Sequence, residues 1–195
     1  MEILGKLFGS ETKVKVIRLF LFNPETVFDV PSIATRVKED PARVRRELSN
    51  LEKASFLKRK AKKQTGKASV NGFVLNTSFL YLSSLQNLLI SSQPLQPKEI
   101  IKKVSSLGTI KLIIIAGVFI QDADSRADIL IVGDNIKKGQ LANVIKNLEA
   151  EIGKELRYAH FTTADFTYRL SMYDKLIRDI LDYPHEKLVN KIPLL

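Results

Sequence analysis

The chain has 195 residues, 45% of them apolar, with 31 Lys and Arg against 21 Asp and Glu and no cysteine. That is enough for one large domain or two small ones, and the composition excludes disorder and collagen. The lack of cysteine excludes a disulfide framework, a thiolate zinc site and a cysteine nucleophile, and it fits a reducing, cytoplasmic setting. The opening MEILGKLFGSETK carries Glu2 and no cationic stretch before a long apolar run, so it does not read as a signal peptide. The longest apolar run, 112–120, has nine residues, whereas a bilayer-spanning helix takes about 20. A soluble protein with no membrane partner is the expectation.

Charge is unevenly distributed. Residues 1–95 hold 16 bases and 8 acids and residues 96–195 hold 15 and 13, so the formal net charge of +10 sits almost wholly in the first half. Residues 43–67 alone hold ten bases and two acids. Such density points to a polyanion, and to nucleic acid before a lipid surface, because no Lys-rich amphipathic stretch with Trp or Phe anchors accompanies it.

In chain order, Val14, Val16, Ile17, Phe20 and Leu21 recur at helical spacing, and Asn23-Pro24 ends that helix. Pro31 opens a second, short helix over about 33–37. Asp40 with Pro41 behind it is an N-cap and first-turn signal for a third helix running to about Ala54. Residues 57–63 and 69–75, joined by the turn 64–67, read as a β-hairpin. This order is that of a winged helix-turn-helix. At about 100° per residue, Val44, Leu48 and Leu51 make one stripe of the third helix. Opposite lie Ala42, Arg46, Ser49 and Lys53, with Arg43 and Asn50 beside them. Arg pairs bidentately with guanine and Asn with adenine, and small residues let the backbone approach, so this face suits a major groove. Arg59, Lys60, Lys62, Lys63 and Lys67 on the hairpin suit the flanking phosphates or a minor groove. The candidate partner is double-stranded DNA.

LFGSETKVKVIRLFLFNPE, the Pro-opened short helix and DPARVRRELSNLEKASFLKRK resemble the winged-helix transcriptional regulators of the ArsR-like type, over roughly residues 5–80. The resemblance implies that 41–54 is the recognition helix, that the hairpin is the wing and that the protein works as a dimer. The metal sensors of that family carry Cys or His ligands that this chain lacks, so DNA binding is implied and metal sensing is not. The greasy stretch 79–91, with Phe79, Leu82, Leu85 and Leu89 in phase, reads as a helix that must be covered, within the chain or by a second copy in a homodimer.

The polar, two-proline stretch SSQPLQP, 91–97, reads as a linker between domains at 1–92 and 97–195. Beyond it the pattern predicts a helix over 97–107, a buried strand over 110–120, a strand over 127–132, a helix over 137–153, a strand over 156–161 and a long helical region over 163–183. The fold class is therefore α+β, with a small α/β domain second. AGVFIQDADSRADILIVGD, 116–134, resembles the core of the minimal nucleotidyltransferases of the polymerase-β-like superfamily. That family pairs carboxylates to hold two Mg²⁺ ions. Here the paired positions are Arg126 and Asp128, Gly117 is followed by Val118 where the family has Ser, and 156–161 offers no carboxylate. The resemblance thus implies the fold without the activity: a catalytically degenerate domain for assembly or for sensing a small-molecule or nucleotide effector. Gly117, Arg126 and Asp128 are its candidate ligand-binding residues. An active nucleotidyltransferase whose winged helix recruits RNA or protein is the alternative. Asp122 and Asp124 read as turn residues, and His160 and His185 are too few and too far apart for a metal site, so neither a metal nor a cofactor is expected.

Overall fold

The computed structural model describes residues 3–64, 67–90, 95–122 and 124–193, the side chains of 62–64 and 67–70 excepted. It divides into two units, Met1–Ser92 with Glu149–Lys154, and Gln93–Leu148 with Glu155–Leu195. Residues 149–154, which the sequence pattern places in the second half, thus belong with the first. There the carbonyls of Glu151 and Gly153 accept from Arg18 Nη1 at 3.1 Å and Asn23 Nδ2 at 3.1 Å. Of the linker, residues 91–94 lie outside the described residues.

The first unit is built from α1 (Ile3–Leu7), α2 (Glu11–Phe22), α3 (Val30–Val37), α4 (Pro41–Lys53), the antiparallel pair β1 (Leu57–Gln64) and β2 (Lys67–Leu75), and α5 (Leu82–Leu89). Each of the three main helices starts where a side-chain oxygen takes up orphan amides. Ser10 accepts from Lys13 N at 3.2 Å, Asp29 from Ser32 N at 2.8 Å, and Asp40 from Ala42 N at 2.9 Å and Arg43 N at 3.3 Å. Their apolar stripes meet in one core with Phe20, Ile33, Val44, Leu48, Phe56, Leu57 and Phe73. The stub at Phe28 pairs with Phe73 through reciprocal backbone bonds of 3.0 and 2.8 Å, adding a bridge to the hairpin edge. Gly72 permits this, since a Cβ there would meet Phe28 O at 2.9 Å. The greasy helix is shorter than its apolar pattern: Phe79 precedes it and packs edge-on against Phe56, with ring centroids 5.5 Å apart.

The second unit holds a four-stranded sheet in the order β5-β4-β3-β6, where β3 is Thr109–Ile115, β4 Ile129–Asp134, β5 Tyr158–Phe161 and β6 Glu186–Asn190. β3 is antiparallel to both β4 and β6, and β4 is parallel to β5. The parallel pair is joined through α7 (Lys138–Ile152). Leu112, Ile114, Leu130 and Val132 face Phe166 of α8 (Thr163–Ser171) and Ile177 and Ile180 of α9 (Lys175–Asp182). Ile113, Ile115, Ile129 and Ile131 alternate with them and are equally buried, so the central strands are apolar on both faces and read as continuous runs. α6 (Pro97–Ser105) packs against β3 and β6, burying Ile100 and Val104.

Three elements of the second unit depart from the sequence pattern. The strand expected over 110–120 stops at Ile115, because Gly117 at φ +54° turns the chain into the 3₁₀ turn Gly117–Phe119. The helical region expected over 163–183 is two helices, broken where Tyr173 takes the left-handed φ of 55° and Asp174 caps the next helix. β6 has no strand-like alternation. Half exposed at the sheet margin, it is a strand because β3 offers it an edge to pair with.

Candidate functional site

α4 sorts its residues by face. Val44, Leu48 and Leu51 are buried, and so is Glu47, at 3% exposure. Arg43, Arg46, Ser49, Asn50 and Lys53 are all exposed, together with Ala42 and Arg45. Arg43, Arg45 and Lys53 have no ion-pair partner among the described residues. Arg46, 70% exposed, has only the carboxylate of Glu47 nearby, at 3.5 Å. The helix ends in a Schellman-type cap: Ser55, at φ 61°, donates to Glu52 O at 2.9 Å, and Phe56 N donates to Leu51 O at 3.0 Å. This turn carries the chain from α4 into β1.

The hairpin divides the cations assigned to it. Leu57 is buried, whereas Lys58, Arg59 and Lys60 are all exposed, the Arg59 side chain at 60%. Strand alternation nevertheless puts Arg59 on the Leu57 side of the ladder, away from Lys58 and Lys60. Arg59 pairs across the ladder with Phe73, and its guanidinium lies 5.1 Å from that ring's centroid. Arg59 Nε donates to Glu52 Oε1 at 2.7 Å and Nη2 to Oε2 at 3.1 Å. The hydrogen bond from Arg59 holds the Glu52 carboxyl below its ordinary value, desolvation opposing it and the neighbouring positive charge adding to it. Of the hairpin cations, Arg59 is thus already engaged, and Lys60 is exposed and unpaired among the described residues. The side chains of Lys62, Lys63 and Lys67 lie outside the described residues.

In the second unit, Gly117 and Asp128 are brought into contact. A Cβ on Gly117 would collide with Asp128 Oδ1, which is why the left-handed turn there needs glycine. Asp128 is fully buried. Its Oδ1 accepts from Val118 N at 2.9 Å and Arg157 Nη2 at 3.4 Å, and its Oδ2 from Arg157 N at 2.8 Å and Arg157 Nε at 3.3 Å. All four acceptor directions of the carboxylate are taken by this chain's own N–H groups. Arg126 does not join them. It is 66% exposed, and its Nε lies 3.6 Å from Asp179 of α9.

The sequence pattern did not single out Arg157, Glu52 or Glu47. Arg157 is 29 residues from Asp128 and Arg59 is seven from Glu52, distances that no helix or strand period connects. Asp122 Oδ1 accepts from Asp124 N at 3.0 Å, closing a local turn. His160 on β5 is held below the ordinary imidazole value by burial, with Lys138 adding to it. Its Nε2 makes no hydrogen bond among the described residues. His185 Nδ1 lies 2.8 Å from Tyr183 O. Among the described residues no group of three or more His, Asp or Glu is placed to hold a metal ion, and no helix is long and apolar enough to cross a membrane. Compared with protein-family models, with curated proteins and with solved structures, the chain gives no match.

Proposed function

We propose that this protein is a DNA-binding transcriptional regulator, reading double-stranded DNA with α4 and bracing it with the β1–β2 hairpin in the manner of an ArsR-like winged helix-turn-helix. The observation that carries the reading is the exposed face of α4, where Arg43, Arg45 and Lys53 have no carboxylate partner among the described residues and Ser49 and Asn50 lie alongside. Uncompensated cations on a helix whose opposite stripe is locked in a core release counterions on meeting phosphate, and Arg and Asn supply base-edge donors. The duplex is preferred to single strands because sequence-tolerant strand binding relies on exposed aromatic platforms. The described aromatics of the hairpin and its base, Phe56 and Phe73, are buried. A homodimer reading paired half-sites is part of this reading.

The second unit fits a nucleotidyltransferase-like domain that does no nucleotidyl transfer and serves assembly or the sensing of a small effector. The saturated carboxylate of Asp128 supports this, since a metal ligand needs lone pairs that Asp128 spends on Val118 and Arg157. The test is titration of the full chain with a random duplex library, matched single strands and tRNA at two salt concentrations. Enrichment of a duplex sequence with a steep salt dependence is expected. Equal binding to all three, or preference for tRNA, overturns the reading. Transfer from a labelled NTP with Mg²⁺ to RNA, protein or self would overturn the assignment of the second unit.

A further inference from the structure

Resting on the reading of α4 as a duplex-binding helix, we infer that Glu52 and Arg59 are positioning residues that set where the hairpin stands against α4, and that Arg59 is not itself a phosphate contact. Glu52 sits in the last turn of α4 and Arg59 in the first half of β1, so their bond ties the two elements meant to grip one duplex. The pair is bidentate, at 2.7 and 3.1 Å, a geometry that fixes orientation as well as distance. The guanidinium is held from its other side by the Phe73 ring at 5.1 Å. Phe73 is in turn 6% exposed and hydrogen-bonded through its backbone to Phe28. Arg59 therefore links the end of α4 to the Phe73 ring of the hairpin from the protein's surface. Arg59 is itself 60% exposed, and what distinguishes it from Lys58 and Lys60 is that the strand period puts it on the other face and that its guanidinium is already bonded to Glu52.

The consequence has an unusual sign. Glu52 is an acid on a basic surface, and if it acted only through its charge, neutralising it would tighten binding to a polyanion. As a positioning residue, it weakens binding when neutralised, because a hairpin free to swing loses the geometry of its remaining contacts.

The experiment compares the parent with Glu52→Gln, Arg59→Lys, Arg59→Glu and the swap Glu52→Arg with Arg59→Glu, in the full chain. It reads duplex affinity across a salt series and hydrogen exchange of the β1 amides without DNA. Glu52→Gln and Arg59→Lys are expected to weaken duplex binding about threefold to tenfold with the salt slope unchanged. Arg59→Glu is expected to weaken it further, and adding Glu52→Arg to restore part of the loss. Glu52→Gln is also expected to speed β1 exchange while α2 stays protected. Binding by Glu52→Gln that equals or exceeds the parent overturns the inference. So does a drop of about one phosphate contact in the salt slope of Arg59→Lys or Arg59→Glu beyond that of a Lys60→Glu control. If the parent binds no duplex, the functional reading fails, and the exchange data then decide alone: unchanged β1 exchange in Glu52→Gln sinks the positioning role.

Discussion

Asp128 and the arginines of α4 are both charged groups in the two units' most distinctive segments, and they stand in opposite circumstances. Asp128 is wholly buried and takes four N–H donors from Val118 and Arg157. Arg43 and Arg45 are exposed and have no ion partner among the described residues. A charged group whose hydrogen-bonding capacity is consumed inside the chain is part of the structure, and replacing it is felt as lost stability. One whose capacity is left open leaves stability nearly untouched and is felt only when a partner arrives. The distinction separates a binding surface from a scaffold more sharply than charge counting does. Surface α8–α9 shows this: Asp165, Arg169, Asp174, Lys175, Arg178, Asp179 and Asp182 all sit in ion pairs, so a charge-rich surface there presents little net field.

The largest expected effect is on the buried side of that comparison. Asp128→Ala removes the carboxylate and leaves the amides of Val118 and Arg157 without their acceptor, which costs about 3 kcal/mol when one partner remains half exposed. Urea unfolding should show the loss, whereas duplex affinity of the folded fraction should stay near the parent's. On the open side, Arg43→Ala should weaken binding to a selected duplex by about 1–3 kcal/mol with stability within about 0.5 kcal/mol of the parent. Arg46→Ala should weaken binding by a similar amount, but it also takes a cation from beside the buried carboxylate of Glu47, 3.5 Å away, so some loss of stability is expected with it. Unfolding midpoints and salt-series titrations on the same preparations decide it. If Arg43→Ala unfolds early and both arginine variants bind normally, the comparison is inverted and the α4 assignment falls.

How much of this was legible in the sequence depends on the length scale of the signal. The three-helix and hairpin order announced itself because caps and stripes are local: Asp40 before Pro41, and Val44, Leu48 and Leu51 at helical spacing. The stop of β3 at Ile115 did not, because it turns on Gly117 meeting Asp128, a contact made only after the chain has folded back. β6 was hidden for a related reason, since its strand character is supplied by β3 and not by its own residues. At the candidate sites, which residues of α4 face outward followed from angle alone. Which hairpin cation was already spoken for did not, because the Glu52 and Arg59 pair joins a helix to a strand across a turn.

Smaller effects test the self-neutralised surface. Arg178→Ala removes an exposed i,i+4 partner of Asp182, 3.4 Å away, and should change stability by about 0.5 kcal/mol or less and duplex affinity not at all. A clear loss of duplex binding would mean that α9 also meets the nucleic acid. Asp134 has a carboxyl held below its ordinary value by the Thr163 hydroxyl and then by its amide, at 2.7 and 3.0 Å. A depressed carboxylate contributes stability above its unfolded value and loses it as pH falls through the folded one. Thr163→Val, which deletes the hydroxyl donor, should therefore narrow the stability difference between neutral and acidic solution, read as unfolding midpoints from pH 7 down to about 3.

The smallest effect expected is at His160, where the sign runs through the unfolded chain. Burial first, and the charge of Lys138 second, hold its folded pKa below the ordinary 6.5. Nε2 has no hydrogen-bond partner among the described residues to favour the protonated ring. As pH falls below 6.5 the unfolded chain takes up a proton that the folded chain resists, so the imidazole's contribution is complete above that value and declines beneath it. His160→Phe removes the titration while keeping a ring at the position. Its stability relative to the parent should be constant above about pH 7 and should rise as pH falls from about 6.5 toward 5. Lys138→Gln should move the imidazole resonances to titrate at higher pH in a proton NMR series, since it deletes the like charge that opposes protonation. A His160→Phe difference that is flat across that window would place the ring in contact with water on both sides of the folding transition.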